Sequence, residues 1–455
     1  MSGGFSHGPN GCGATRSPRV LVVARGYPPS SDPTSYRWLR FTSGLAARGW
    51  RVEVLTTEPV PKFEYYDPSL AQRIPAEVEV HRVHPGVYEP RVARARLERA
   101  VPKPSGNGTP GAGKSRWSLR AMLRSADRWL IPFKIPDPTF EWIATGTLRG
   151  YRLFAQRHYD LIVSSAAPFS SHVVGQQIAR LTRAPWVADF SDPFATNPFS
   201  SRPPWRRRLD AHLERGWFRG LTAAIVPVSE MKTLFLREHP HIDPDAIHVI
   251  PYGFDRALYA TTRAAAFEEF TIVHTGTFYL GLRDPGPFFE ALAIVRDLPL
   301  RVVHAGVLQP EWVEQLRRLD LEDRFEVLGL LSREQIAPLQ LGGTCLLLIG
   351  NRGGLQLPGK LLDYLGARRP ILALRNDTHD IAADLVERHC AGLVVPNEPA
   401  RIAEGLRRLH AWWRDRSLDS RYGHDGALEY DWANQVDRLD HALRAHVGSR
   451  ASVAE

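Results

Sequence analysis

Residues 19–57 read RVLVVARGYPPSSDPTSYRWLRFTSGLAARGWRVEVLTT. RVLVVA (19–24) is a short apolar run with the length of a buried strand. The loop RGYPPSSDPTS follows, then YRWLRFTSGLAARGW, whose apolar residues recur at helical spacing. Gly49 stops that helix, and RVEVLTT (51–57) is a second strand. Strand, helix and strand in this order make a crossover unit with two parallel strands.

Outward from this unit the alternation continues. AEVEVHRV (76–83) is a third strand. A helix over 140–157 precedes the strand DLIVSS (160–165), one over 170–182 precedes PWVADF (185–190), and one over 205–219 precedes AAIVPVS (223–229). IHVIPYG (247–253) closes the series, and residues 255–269 read as a linker. A second series begins at FTIVHTG (270–276), with strands at 300–306, 325–330, 344–349, 370–374 and 391–396. Its helices fall at 286–297, 310–319, 332–341, 358–367, 379–389 and 399–413, and residues 427–447 read as one long final helix. The expected fold class is α/β, with two Rossmann-like parallel-sheet domains facing a cleft and ligands at the carboxyl ends of the strands. The expected boundaries are a tail (1–18), a first domain (19–254), the linker (255–269), a second domain (270–425) and a C-terminal segment (426–455).

The chain has 455 residues, room for two or three domains of about 150 residues. At 43% hydrophobic and 24% charged it has the balance of an ordinary globular protein. Cys12, Cys345 and Cys390 are far apart and show no metal-ligand or redox spacing, which fits a reducing compartment. The first residues carry no apolar signal core, and no run approaches the roughly 20 apolar residues of a membrane span. A cytoplasmic protein is expected, with a peripheral position on the inner face of the cell membrane as an option. Between Arg91 and Lys134 eleven Lys/Arg face two acids, Glu98 and Asp127, so this stretch carries the whole net charge of +9. It lies in an insertion over about 88–138, and WSLRAMLRSADRWLIPF (117–133) interleaves aromatic and aliphatic residues with arginine. That composition fits an anionic membrane surface, a helix packed on its own domain, or a solvated insertion. Nucleic acid is the weaker partner, because no recognition module accompanies the charge.

Inside the insertion, GNGTPGAGKS (106–115) matches the phosphate-loop pattern through Gly108, Gly113, Lys114 and Ser115. A working phosphate loop follows a buried strand and opens a helix. Here RAVPKPSGN (99–107) precedes it, and Pro102, Pro104 and Pro110 argue against a strand. The match reads as chance.

Four stretches carry chemistry. GYPPSSDPTSYRWLRF (26–41) feeds a helix whose N-terminus can receive an anion, with Arg37 one turn in, placed either for phosphate or for a surface acid. In APFSSHVVG (167–175), His172 opens a helix beyond a strand end, as a catalytic or a structural histidine. PWVADFSDPF (185–194) places Asp189 and Asp192 at a strand end, for sugar hydroxyls, an acceptor proton or a turn before Pro193. In GGLQLPGKLLDYLGARRPILAL (353–374), Pro358 opens a helix whose free amides form an anion site. Lys360 adds charge there, and Asp363 lies one turn on, able to grip vicinal ribose hydroxyls.

Together these pieces, in this order, resemble glycosyltransferase family 4, of the GT-B fold, over about residues 19–445. The resemblance implies retaining transfer of a sugar from a nucleoside-diphosphate sugar to a glycan or lipid-linked acceptor, with no catalytic metal and no resident cofactor. It implies that the first domain takes the acceptor, the second the donor, and that the last helix crosses back onto the first. Asp363 fills the place of the ribose carboxylate, amides near Pro358, Gly359 and Lys360 that of the diphosphate cradle, and Gly329 and Leu330 line the nucleobase pocket. Arg283 falls near the family's phosphate lysine. Thr277 stands where the family has a phosphate arginine, Leu355 where it has its first glutamate, and Ser191 where it has a histidine. Asp192, His172 and Arg37 are the catalytic candidates. Two other readings remain: a GT-B nucleotide-sugar epimerase and a non-catalytic sugar-nucleotide or glycan-binding protein.

Overall fold

The computed structural model describes residues 16–60, 66–87, 133–197, 202–278, 282–351 and 356–447, with isolated positions between them. The phosphate-loop match, the insertion over 91–132, Leu355 and both chain ends lie outside the described residues.

Two parallel sheets form, as the alternation of strands and helices predicts. The first holds β1 (Arg19–Ala24), β2 (Arg51–Thr57), β3 (Glu79–Val83), β4 (Leu161–Ala166), β5 (Trp186–Phe190), β6 (Ala223–Val226) and β7 (Ile247–Val249), in the order β3-β2-β1-β4-β5-β6-β7. The second holds β8 (Phe270–Thr275), β9 (Leu300–Ala305), β10 (Phe325–Val327), β11 (Cys345–Ile349), β12 (Ile371–Arg375) and β13 (Gly392–Pro396), in the order β10-β9-β8-β11-β12-β13. Strand order reverses between β1 and β4 and between β8 and β11, the switch points where crevices open at carboxyl ends. The helices are α1 (Pro33–Ala47), α2 (Trp142–Gln156), α3 (Ser170–Thr182), α4 (Pro204–Gly220), α5 (Ser229–Glu238), α6 (Arg256–Thr261), α7 (Gly286–Ile294), α8 (Pro310–Arg318), α9 (Arg333–Gly342), α10 (Gly359–Ala367), α11 (Ile381–Arg388), α12 (Pro399–Arg414) and α13 (Trp432–Arg444). No described helix is long and apolar enough to cross a membrane.

The opening unit forms for local reasons. Asp32 caps α1 by accepting from Ser35 N (3.0 Å), and Pro33 fits the first helical position. Gly49 turns the chain at φ +82°, a conformation most side chains avoid, and Trp50 N closes the turn on Leu45 O (3.1 Å). β1 is buried along nearly its whole length, as a strand covered on both faces requires.

Three elements differ from the sequence reading. Residues 229–238 form α5, with Met231, Leu234 and Phe235 inward at helical spacing. The linker contains α6, capped by Asp255 accepting from Leu258 N. The final helix starts at Trp432, not near 427, because Asp431 caps it after a short 3-10 turn over Asp425–Tyr430. α13 does return to the first domain. Gly44 of α1 leaves room for Val436, Phe41 meets Trp432 edge-on (5.6 Å), and Trp50 Nε1 donates to Asp440 (2.5 Å).

Candidate active site

The carboxyl edges of the two sheets face each other. Asp192, just past β5, accepts a hydrogen bond from Gln356 Nε2 (2.7 Å), a residue just before α10. Leu357 and Ile381 of the second domain pack on the first domain's core. On the flank, Arg73 donates to Glu334 (2.5 Å), and the Arg333 guanidinium lies 5.1 Å from the Tyr36 ring centre. The domains therefore meet around a lined crevice. Burial pushes the Asp192 carboxyl above its usual range, with the Gln356 bond partly offsetting it.

On the second-domain side, Lys360 and Arg283 lie at the carboxyl edge of the sheet beside the start of α10. No side chain among the described residues caps α10 at Pro358, and Leu361 N donates to Pro358 O (3.0 Å), which leaves the amides of Gly359 and Lys360 for another partner. Lys360, one residue into the helix, reaches back to β8, its Nζ 2.9 Å from His274 Nε2. Burial, and then Arg283, push the Lys360 ammonium well below the usual lysine range. Arg283 Nε donates to Asn351 Oδ1 (2.6 Å), just past β11, and Thr277 is half-buried just past β8. Gly329 and Leu330 follow β10, with Leu330 exposed. Asp363 accepts from Arg333 Nη2 (3.3 Å). Burial raises its pKa, and Arg333 draws it back.

Two first-domain candidates are placed otherwise than expected. His172 opens α3 but has no exposed surface. Its Nδ1 bonds Ser164 Oγ (2.8 Å), its ring packs on Phe190 (4.5 Å) and Trp217 (5.5 Å), and burial drops its pKa to about 3. It is a neutral core side chain, not a group on the ligand edge. Arg37 is likewise inside, not free for phosphate. It donates to both Asp189 oxygens (3.1 and 3.3 Å) and to the carbonyls of Ile250 (2.8 Å) and Pro251 (2.9 Å). Of the two aspartates at this strand end, Asp189 thus belongs to the interior, where Trp38 Nε1 also donates to it (2.8 Å), and Asp192 faces the crevice.

The sequence reading missed His274, His304, Arg333 and Gln356. His274 and His304 had a signal: IVHTG (272–276) and VVHAG (302–306) end adjacent strands with the same H-x-G pattern. Arg333 and Gln356 had none, since both matter through contacts across the fold.

Among the described residues, the cluster with metal-ligand spacing is Glu53, Glu79 and His81, in β2 and β3 of the first domain. Its groups already satisfy one another: Glu53 accepts from Tyr159 OH (2.6 Å) and Arg157 (2.9 Å) and bonds His81 Nε2 (2.8 Å). It reads as a structural charge network.

Residues 34–253 match the family model described as a glycosyl transferase 4-like domain. No curated protein sequence matches the chain. Among solved structures, sucrose-phosphate synthase from Thermosynechococcus elongatus is similar at 15% identity and a TM-score of 0.60, covering 94% of this chain and 99% of that one. Anabaena Alr3699/HepE, solved in complex with UDP and glucose, is similar at 15% identity and a TM-score of 0.60, over 94% of this chain and 100% of that one. A putative UDP-N-acetylglucosamine 2-epimerase from Listeria monocytogenes is similar at 13% identity and a TM-score of 0.56, over 94% and 96%. Residues 34–253 are thus similar to a glycosyl transferase 4-like domain, and over 94% of its length the chain has the two-domain GT-B fold.

Proposed function

We propose that the protein is a retaining glycosyltransferase that moves a sugar from a nucleoside-diphosphate sugar to a glycan or lipid-linked acceptor in cell-envelope or polysaccharide biosynthesis. The observation that carries this reading is the α10 N-terminus, uncapped by any side chain among the described residues and flanked by Lys360 and Arg283, opposite Asp192. As the glycosidic bond breaks, the leaving diphosphate gains charge. Amides of Gly359 and Lys360, with the Lys360 and Arg283 side chains, stabilise that charge without a metal. Asp363 takes the ribose hydroxyls in place of Arg333, and Gly329 and Leu330 flank the base. The acceptor enters over the first domain beside Asp192, and domain contacts such as Asp192–Gln356 help exclude water. HepE, a protein of the same fold, was solved with UDP and glucose, which favours a nucleotide-sugar donor.

A lipid-linked acceptor on an anionic membrane suits the chain's charge, concentrated between Arg91 and Lys134. At the end of that stretch Phe133 is 66% exposed and packs against Trp205, itself 44% exposed, at 5.3 Å. Aromatic rings beside arginines suit a headgroup interface, which keeps the protein peripheral to the cytoplasmic face. The test is transfer from radiolabelled UDP-, GDP-, ADP- and dTDP-sugars to envelope lipid and glycan extracts, followed by analysis of the new linkage. A product with the donor's anomeric configuration supports the reading. Sugar isomerised without an acceptor supports the epimerase instead, the activity named for some proteins of this fold. Tight donor binding without either product leaves a binding protein.

A further inference from the structure

β8 and β9 run in register, with His274 opposite His304. Both rings are buried, and their planes differ by 10°. His274 Nδ1 lies 2.9 Å from His304 Nδ1, and His274 Nε2 lies 2.9 Å from Lys360 Nζ. Phe278 lies against both rings, at 4.1 and 4.9 Å. His304 Nε2 is buried, makes no hydrogen bond of ordinary geometry to a described residue, and the backbone of Val307 lies close enough to favour a proton on this ring.

Each nitrogen pair at 2.9 Å needs one N–H and one lone pair. Because a neutral Lys360 amine can donate as well as accept, several proton arrangements satisfy both contacts, and two of them differ in the charge of Lys360. In the first, His304 Nδ1–H donates to His274 Nδ1, and His274 Nε2–H donates to the Lys360 amine. In the second, the Lys360 ammonium donates to His274 Nε2, His274 Nδ1–H donates to His304 Nδ1, and His304 keeps its proton on Nε2. The two differ by one proton and by the tautomer of both rings. Around the chain, Arg283 faces Lys360 as a second cation. On α10 itself, Asp363 turns to Arg333, and the Tyr364 hydroxyl accepts from Thr275 N (3.0 Å). Burial and Arg283 both disfavour the ammonium until an anion arrives.

We propose that Lys360, His274 and His304 form a proton relay beneath the donor diphosphate, and that a nucleotide sugar binds together with one proton from solvent. The proton adds at His304 Nε2. The His304 Nδ1 proton moves to His274 Nδ1, the His274 Nε2 proton moves to Lys360 Nζ, and Lys360 becomes the ammonium that faces the diphosphate. No other bond changes. His274 and His304 are positioning residues that set the charge of Lys360. This rests on the donor site proposed above and adds its pH dependence.

The test is isothermal calorimetry with UDP-glucose, GDP-mannose, ADP-glucose and dTDP-glucose. It is run at pH 7.5 in two buffers of different ionisation enthalpy. The diphosphate diester does not titrate near neutral pH, so the proton count reports on the protein. Uptake approaching one proton per donor is expected, with affinity falling about tenfold per pH unit above neutrality. Lys360→Met should abolish the uptake, and His304→Phe should reduce it while binding persists. Spectra of the wild-type protein with 15N-labelled histidine should show His304 protonated on Nδ1 when free and on Nε2 in the complex, which decides the matter even where a variant does not fold. Donor binding with no proton taken up and no tautomer change overturns the relay and leaves the donor site standing. Binding of none of these nucleotide sugars removes both.

Discussion

Arg37→Met should cost stability, not chemistry. The side chain is 1% exposed and bridges α1, β5 and the segment after β7 through Asp189 and two carbonyls. Its guanidinium also lies against the rings of Phe41 (4.6 Å) and Tyr252 (4.7 Å), so methionine keeps part of the packing and loses the charge. What remains is a buried Asp189 carboxylate held by Trp38 Nε1 (2.8 Å) and a weak contact with Ser165 Oγ (3.4 Å). Removing one partner of a buried pair costs about 3–5 kcal/mol. At about 2–4 °C per kcal/mol for a domain of this size, melting should fall by roughly 6–20 °C. Asp189→Asn in the same chain should recover part of the loss, because the uncompensated charge is gone. The assay is thermal melting of both variants, with donor hydrolysis or transfer measured well below the lower midpoint. A single variant that melts like the parent but has lost turnover would refute the structural assignment and return Arg37 to the catalytic group.

The same logic covers His172. His172→Phe should lose about 1 kcal/mol with the Ser164 bond, and should leave the pH profile of turnover unchanged between pH 6 and 8, because the histidine is already neutral there; a lost limb in that profile would contradict its core role. Glu53 predicts the acid side of stability. Burial alone would raise its pKa, but bonds with His81, Tyr159 and Arg157 outweigh burial and bring it to about 2. A depressed carboxylate stabilises the fold above its unfolded value and loses that contribution as pH falls through its folded value. Urea midpoints should therefore drop between about pH 4.5 and pH 2, and Glu53→Gln should flatten that drop.

Much of the fold was legible because periodicity and helix caps are local signals. The opening unit had both: a fully apolar strand, then Asp32 and Pro33 ahead of a helical pattern. α5 was legible too, in the spacing of Met231, Leu234 and Phe235, and only the short loops around it concealed it. The start of α13 was marked by Asp431 rather than by hydrophobicity, which runs on through the preceding turn. Site roles were less legible. Pro358, Gly359, Lys360 and Asp363 come together because one loop and one helix carry them. Arg37 and His172 looked like surface groups because sequence spacing says where a residue sits on a helix, but not that another layer covers it. Asp189 and Asp192 are three residues apart, and their division of labour depends on Arg37 and Gln356, more than 150 positions away from the respective aspartates.

The measurement that tests the central claim most directly is nucleotide-sugar binding to the wild-type protein and to Asp363→Ala, without added metal. The probes are UDP-, GDP-, ADP- and dTDP-sugars, with ATP and GTP as controls. One nucleotide sugar should bind the wild type, and Asp363→Ala should bind it about 10–100-fold more weakly, as expected when hydrogen bonds to a carboxylate are lost at about 1.5–3 kcal/mol. Equal affinity in the two proteins would remove Asp363 from the ribose. Binding of ATP or GTP alone, dependent on magnesium and abolished by Lys114→Ala, would contradict the account and make GNGTPGAGKS the nucleotide site.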